Sequence, residues 1–257
     1  MLPLDANRIY EPARALVRGN SDRAELSEAV LTTYPITMAA HGFIPTVPIG
    51  AGDELTVLGV FDSTHAGFEG FKLRLDDAAN QVQAGVRDNN SFNGALSAIA
   101  VSVNRWEHYC GVFHSETDIS VYLNAGNLGT SNHAARNPTN LDATVCGADR
   151  AQAGYSDHFN GRLFWPCIWQ YDMPLAEIIA LWRGKPPWEI RPELIMSMPN
   201  LRNWYDPFAR ARWVPNGTKL GNPRTYWRPS RRRAVKAPAP AAGGITAGSL
   251  ALTGVGI

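Results

Sequence analysis

The sequence predicts an all-β protein, an antiparallel β-sandwich that carries one short helix and an extended C-terminal arm. Short apolar or alternating segments recur from residue 34 to residue 171, and turn residues separate them. Gly and Pro contribute 23 and 18 of the 257 residues, which suits a chain with many turns. Residues 172–184 combine helical apolar spacing with signals for both helix ends.

Nine segments have the composition of β-strands. Residues 70–75 and 82–87 flank a cluster of turn residues and predict a β-hairpin. In the turn Asn124-Ala125-Gly126, Asn124 and Gly126 suit positive φ. Pro166 indicates an edge position or a bulge in its strand. The nine segments are 34–44, 54–62, 70–75, 82–87, 95–103, 105–113, 118–123, 141–147 and 159–171.

The helix prediction depends on three end signals and an apolar stripe. Asp172 is expected to cap the helix, Pro174 suits its first turn, and Gly184 follows its last residue. The stripe has helical spacing and predicts the buried side of the helix. It consists of Leu175, Ile178, Ile179, Leu181 and Trp182.

The charges of the chain are distributed unevenly. Residues 1–200 carry 14 Lys and Arg against 22 Asp and Glu, a balance of −8. Residues 201–257 carry 10 Lys and Arg against Asp206, a balance of +9. We therefore predict a sandwich with an N-terminal lead-in over residues 1–185, an aromatic and basic connecting segment over 186–233, and a Pro-, Ala- and Gly-rich arm over 234–257.

Cysteine usage and apolar runs indicate the compartment. Cys110, Cys146 and Cys167 have spacings that fit no zinc or redox motif, so we expect buried free thiols and a reducing cytoplasm during assembly. The first ten residues lack a basic region followed by an apolar run, so we expect no secretory signal peptide. The apolar runs are shorter than the ~18 residues of a membrane span, so no membrane partner is expected.

Several motifs follow one another in the order of a known family. Residues 106–113 (WEHYCGVF) and 119–126 (ISVYLNAG) form two consecutive strand motifs, and residues 159–169 lead into a short helix at 175–181. Together with residues 34–41 they resemble the laminin G-like domains of the concanavalin A-like lectin and glucanase family. The resemblance covers about residues 20–184 and implies a concanavalin A-like jelly roll. Phe164-Trp165 replaces the family's acidic pair and argues against a calcium or sugar site there.

The sequence lacks the common catalytic motifs. A glucanase of this fold needs carboxylates alternating on one strand, and the nearest segment, Glu116-Thr117-Asp118-Ile119-Ser120, lacks the last of them. The chain has no G-x-S-x-G, P-loop or dinucleotide motif. We predict a protein that is not an enzyme and has no catalytic residues, with a glycoside hydrolase or a triad of distant residues as the remote alternative.

Two kinds of metal site were considered. His108 and His114 lie six residues apart without a third ligand nearby, so we expect no transition-metal site there. We expect no cofactor, with calcium as the one alternative, because Asp and Asn oxygens in loops suit it. The loop candidates are Asp76, Asp77, Asp88, Asn89, Asn90, Asp149 and Asp157, although the same residues also form ordinary turns.

The C-terminal region suggests an assembly role. Residues 245–257 (ITAGSLALTGVGI) resemble tails of structural proteins of tailed bacteriophages. Aromatic and basic residues precede them and could pair with an acidic protein surface, neutralise nucleic-acid phosphates, or form a solvated linker. We favour protein pairing and regard nucleic acid as an unlikely partner. The candidate arm residues are Trp213, Tyr226, Trp227, Arg228, Arg231, Arg232 and Arg233.

The sequence therefore predicts a virion structural protein, either a capsid decoration or a tail-associated protein, that is anchored through its arm. Its expected partners are other virion proteins and copies of itself in a homo-oligomer. The alternative is a lectin-like glycan-binding module for host adsorption. The sequence leaves open head or tail location, oligomeric state, docking partner, and whether glycan or calcium binds.

Overall fold

The computed structural model describes residues 14–16, 22–27, 29–46, 54–88, 91–190, 194–197 and 212–214. These residues contain sixteen strands and one α-helix, which we call α1. The helix is Leu175–Trp182, and a 3-10 helix follows at Pro187–Glu189. The strands are β1 Arg14–Leu16, β2 Arg23–Leu26, β3 Ile36–Phe43, β4 Leu55–Phe61, β5 Gly70–Leu75, β6 Gln81–Asp88, β7 Ser91–Ala100, β8 Trp106–Ser115, β9 Asp118–Leu123, β10 Gly126–Asn132, β11 Ala143–Cys146, β12 Asp149–Ala151, β13 Gly154–Ser156, β14 Gly161–Trp169, β15 Leu194–Ser197 and β16 Arg212–Val214.

The strands form two seven-stranded sheets and a small hairpin. The first sheet has the order β1-β14-β3-β8-β9-β10, and β15 also pairs with β14. The second sheet has the order β16-β2-β11-β4-β5-β6-β7, and β12 pairs with β13. All pairings between named strands are antiparallel. The predicted antiparallel β-sandwich is confirmed.

The main core lies between the two sheets. Alternate residues of each strand point into it, because side chains along a strand point to opposite faces. Phe71 of the second sheet meets Phe113 of the first with ring centroids 5.5 Å apart, and both side chains are fully buried. The predicted hairpin of residues 70–75 and 82–87 is confirmed as β5 and β6. The three cysteines are buried free thiols, as predicted.

Helix α1 covers the outer face of the first sheet. Ile178 and Leu181 pack against the outward side chains of β3, β8 and β14, including the fully buried Trp169. Leu175 and Trp182 are exposed, so the predicted apolar stripe is wrong at its two ends. The helix begins after Pro174 without a side-chain cap, and Gly184 follows it in the left-handed conformation with φ 88°.

Asp172 does not cap the helix, and this prediction was wrong. It lies two residues before the N-cap Pro174, and its carboxylate contacts the His114 ring instead, with Oδ1 and Nδ1 2.8 Å apart. The other His114 ring nitrogen lies 2.9 Å from the Ser120 hydroxyl. The Asp172–His114 pair therefore ties the start of the helix to β8 of the first sheet.

Two local irregularities differ in detail from the sequence prediction. The turn after β9 places Asn124 and Ala125 at positive φ, 58° and 55°, whereas Gly126 begins β10. Pro166 lies at a bulge, where the register of β14 on β3 shifts between Phe164 and Cys167. Since β14 pairs on both sides, its proline marks a bulge within an interior strand and not a sheet edge.

Strands β1, β2, β10, β12, β13, β15 and β16 were not predicted. β15 pairs with β14 and β16 pairs with β2, so parts of the predicted connecting segment join the sandwich sheets. The chain divides into two units, residues 1–227 and residues 228–257. The division into segments at residues 185 and 233 stays a prediction. Among the described residues, no helix is long and apolar enough to cross a membrane.

A buried histidine pair lies where α1 ends. The rings of His41 and His108 are 4.8 Å apart, and His41 Nε2 lies 3.2 Å from the Leu181 carbonyl oxygen. Burial lowers the pKa of His41 to about 4. Burial, and then the neighbouring His41, lowers the pKa of His108 well below its ordinary value. Both imidazoles are therefore neutral in the folded protein at pH 7.

We expect acid to weaken the fold through this pair. A histidine whose folded pKa is lowered contributes its full stability above the unfolded pKa of about 6.5 and loses it as the pH falls toward the folded value. Between pH 7 and pH 5, His41 alone should account for a loss of about 2 kcal/mol. Urea unfolding of wild type and of His41→Gln at both pH values separates the contribution of His41 from that of the titrating carboxyl groups. If the free energy of unfolding depends equally on pH in the two proteins, the prediction is contradicted.

Candidate functional site

The outer face of the second sheet carries an unusual concentration of polar groups. Val82, Ala84 and Val86 of β6 point into the core, so the alternate residues of β6 point outward. The same alternation applies to β5. We call the outward residues of β5, β6 and β7 in this region the polar face. They are Lys72, Arg74, Gln83, Gly85, Arg87 and Phe92.

Phe92 lies on the backbone of the polar face. A Cβ at Gly85 would meet ring carbons of Phe92 at 2.2 and 2.6 Å, so the missing side chain at Gly85 makes room for the ring. Phe92 is half-buried and therefore keeps part of its ring accessible. An aromatic ring held against a sheet is a surface on which the apolar face of a ligand ring can stack.

A buried ion pair lies next to this ring. Lys72 and Asp149 are fully or almost fully buried, and Lys72 Nζ donates to the Asp149 carboxylate. The hydroxyl of Thr56 donates to the other Asp149 oxygen. Lys72 Nζ is also 5.7 Å from the centre of the Phe92 ring. Because Asp149 belongs to β12, this ion pair fastens the β12–β13 hairpin to the polar face.

Arg74 forms a second set of contacts on the face. Its Nε donates to Gln83 Oε1 at 2.6 Å, and its Nη1 pairs with the Glu54 carboxylate. The guanidinium carbon lies 4.4 Å from the centre of the Phe92 ring. Burial lowers the pKa of Arg74, while Asp149, Asp76 and Asp157 act against this shift. The guanidinium is thus held in place by a carboxylate, an amide and an aromatic ring.

Asp157 adds a carboxyl group beside the same two cations. Burial, followed by the charge of Asp149, raises its pKa to about 6. Lys72, Arg74 and a hydrogen bond from Ser156 act in the opposite direction. At pH 7 this half-buried carboxyl is therefore mostly ionised and accepts hydrogen bonds.

The β12–β13 hairpin stands against one side of the polar face. Tyr155 packs on an apolar cluster of Phe61, Val145 and Ala148. The guanidinium carbon of Arg23 lies 3.4 Å from the centre of the Tyr155 ring, and that of Arg150 lies 4.7 Å away. Burial raises the pKa of Tyr155 to about 12. Tyr155 is thus packed against this cluster and, like Phe92, is half-buried.

The calcium candidates from the sequence are dispersed over the structure. Asp76 and Asp77 lie together with Glu54, with carboxylate oxygens of all three within 4.8 Å of one another. Glu54 pairs with Arg74, and Asp76 accepts the Ala79 N–H at 2.9 Å. Asp149 and Asp157 belong to the ionic contacts of the polar face. Asp88 accepts the Asn137 N–H at 3.1 Å, and Asn89 and Asn90 lie outside the described residues.

The structure describes few of the other predicted site residues. Trp213 lies in β16, where its backbone is in register with Ala24 at the edge of the second sheet. His114 contacts Asp172 and Ser120. The remaining arm candidates lie outside the described residues: Tyr226, Trp227, Arg228, Arg231, Arg232 and Arg233.

The polar face itself was missed from the sequence. Lys72 and Arg74 flank Leu73, and Gln83, Gly85 and Arg87 alternate with apolar residues. This alternation indicates that they share one face of a hairpin, but an ordinary solvated face gives the same pattern. The feature that separates the two cases is the burial of Lys72 by Asp149, which lies 77 residues away in sequence.

Comparison with protein families identifies the fold family. The family model of the laminin G type described as the concanavalin A-like lectin/glucanases superfamily matches residues 18–179. The chain belongs to this family. The resemblance in motif order over residues 20–184 is therefore confirmed, and with it the concanavalin A-like jelly roll. A search of curated proteins finds no match.

Several solved structures share this concanavalin A-like fold. A Bacteroides ovatus protein described as a candidate carbohydrate-binding protein aligns with TM-score 0.55 and 14% identity, over 78% of this chain and 56% of its own length. A heptameric SAP-like pentraxin of Limulus polyphemus aligns with TM-score 0.50 and 12% identity, over 65% and 80%. Domain 4 of an extracellular arabinanase from Geobacillus stearothermophilus, solved with arabinotriose, aligns with TM-score 0.50 and 10% identity, over 66% and 75%. At these identities the likeness shows the fold alone.

Proposed function

We propose that this concanavalin A-like domain is a non-catalytic glycan-binding module and that the polar face is its binding surface. The observation that carries the proposal is the Phe92 ring lying on Gly85 beside Lys72 and Arg74. A sugar presents an apolar ring face and a rim of hydroxyls, so it is recognised by an aromatic surface together with fixed hydrogen-bonding groups.

The surroundings of Phe92 support this choice of ligand. Arg74, Gln83 and Asp157 provide both donors and acceptors within one cluster. The ion pair with Glu54 and the hydrogen bond to Gln83 hold the Arg74 side chain in a fixed position, which reduces the conformational entropy lost when a ligand binds. The solved structures of similar fold include a candidate carbohydrate-binding protein and an arabinanase domain with arabinotriose, which supports the same ligand class.

The test is glycan binding with a matched aromatic control. A broad glycan array should give reproducible binding, and Phe92→Ala should weaken the affinity measured by titration calorimetry about tenfold or more. Trp182→Ala removes an exposed aromatic from α1, away from the polar face, and should leave the affinity unchanged. Full affinity of Phe92→Ala, or no glycan bound across the array, would contradict the proposal.

A calcium ion bound beside the polar face is a second part of the proposal. The group of Glu54, Asp76 and Asp77 offers carboxylate oxygens of the kind that calcium prefers, and Glu54 also contacts Arg74 of the polar face. If calcium organises this side of the face, a chelator should weaken glycan binding and Asp77→Asn should weaken it equally. Unchanged affinity in the presence of a chelator would restrict the proposal to a metal-free site.

The virion assembly role remains a separate proposal. Its candidate residues lie in β16 and beyond, and the acidic balance of residues 1–200 against the basic balance of residues 201–257 supports pairing between copies or with another protein. Deletion of residues 229–257 should then leave a folded domain that no longer attaches to its particle. Undiminished attachment of the truncated protein would contradict an anchoring arm.

A further inference from the structure

We propose that Arg87 makes the polar face selective for glycans that carry a carboxylate, such as uronic-acid oligosaccharides. This inference rests on the proposed glycan-binding function and names the ligand class of the same face. The three cations of the face differ in whether they have a carboxylate partner. Lys72 is paired with Asp149 and Arg74 with Glu54, whereas Arg87 has no carboxylate partner among the described residues.

The hydrogen-bonding capacity of Arg87 is largely unused. Nη1 donates to the Gly67 carbonyl at 2.9 Å, and Nε is covered without any acceptor within the part of the chain that the structure describes. A guanidinium has five N–H donors in a fixed planar fork that matches the two oxygens of a carboxylate. Because Nε is covered, the donors that the half-buried Arg87 retains for an incoming carboxylate are those of its two Nη atoms.

Nearby carboxylates are engaged elsewhere. Asp88 follows Arg87 in the chain, points to the other side of the strand by alternation, and accepts the Asn137 N–H. Glu69 contacts the His65 ring at 3.3 Å and the Thr139 N–H at 3.3 Å. The charges that act most strongly on Asp157 are those of Asp149, Lys72 and Arg74. None of these carboxylates neutralises Arg87.

Arg87 is also correctly placed relative to the aromatic ring. It is in direct register with Phe92 across β6 and β7. Directly opposed residues on one face have Cβ atoms about 5 Å apart. A sugar ring stacked on Phe92 would therefore bring a substituent on its edge within reach of the guanidinium. A carboxylate is the substituent that gains most there, because charge-assisted hydrogen bonds are stronger than neutral ones.

The experiment compares acidic and neutral sugars of equal size. Trimers of galacturonic, glucuronic and mannuronic acid are titrated into the full chain, each beside its neutral galactose, glucose or mannose counterpart. At least one acidic trimer should bind about tenfold more tightly than its counterpart at low salt. Arg87→Gln should remove most of this preference. Arg183→Gln, an exposed arginine after α1, should keep the preference.

The outcomes separate this inference from the proposed function. Equal affinity for acidic and neutral trimers, with binding still dependent on Phe92, would overturn the carboxylate preference and leave the glycan-binding face standing. A preference that survives Arg87→Gln would also overturn the role of Arg87. Absence of binding to all trimers and to the broad array would overturn both. Circular dichroism of Arg87→Gln confirms that any loss occurs in a folded protein.

Discussion

Lys72→Met should destabilise the protein by about 3–5 kcal/mol, because it leaves the Asp149 carboxylate buried without its cation. Asp149 is completely buried and Lys72 is 2% exposed, so water cannot replace either partner. Within the described part of the chain, the Thr56 hydroxyl alone would remain to hydrogen-bond the carboxylate. Equilibrium urea unfolding followed by tryptophan fluorescence measures the change. Since Asp149 also anchors the β12–β13 hairpin, the variant should lose glycan affinity as well.

A double-mutant cycle distinguishes the energy of the Lys72–Asp149 interaction from the effect of removing the Lys72 side chain alone. Lys72→Met combined with Asp149→Asn removes both charges and should be clearly less destabilised than the sum of the two single variants. Lys185→Met, at an exposed lysine after α1, should change the free energy of unfolding by about 0.5 kcal/mol or less. Additive single variants, or a stability of Lys72→Met within about 1 kcal/mol of wild type, would show that the ion pair contributes little.

Gly129→Ala is expected to have the next largest effect. A Cβ at Gly129 would lie 1.6 Å from the Leu96 carbonyl oxygen and 2.5 Å from its carbonyl carbon. Both atoms belong to the backbone of β7, so no side-chain rotation can relieve the clash. At Gly129, therefore, β10 of the first sheet approaches β7 of the second, and separating them should cost about 2–3 kcal/mol.

The matched control for Gly129→Ala lies in the same strand. Gly126 is the first residue of β10, and a Cβ there would meet no heavy atom within 4 Å. Gly126→Ala should therefore be neutral or slightly stabilising, because alanine reduces the entropy of the unfolded chain. Thermal unfolding of both variants makes the comparison. Equal loss of stability in the two would contradict a close approach specific to Gly129.

The sandwich was predictable from sequence where strands combine alternation with apolar and β-branched residues. Residues 70–75 and 118–123 alternate apolar with other residues and coincide with β5 and β9. The strand β10, with sequence GNLGTSN, has no buried residue and so lacks the apolar periodicity on which prediction depends. The three-residue strands β12 and β13 are too short for any periodic signal.

The polar face was less predictable because its contacts join distant parts of the chain. From the sequence, Asp149 and Asp157 were interpreted as turn residues or calcium ligands, since a loop aspartate has no visible partner in sequence. The structure brings Asp149 to Lys72, and this pairing depends on the topology that places β12 against the outer face of the second sheet. Phe92 was not predicted as a site residue either, because its position depends on Gly85 in the neighbouring strand.

NMR titration tests most directly whether glycan binds on the outer face of the second sheet. The ¹⁵N-labelled full chain is titrated with the galacturonic acid trimer and, in parallel, with the galactose trimer. Whichever trimer binds, we expect the largest changes in protein amide chemical shift at Gly85, Phe92, Gly94 and the β12–β13 hairpin. Shifts confined to the outer face of the first sheet, around Phe43 and Trp106, would contradict the claim.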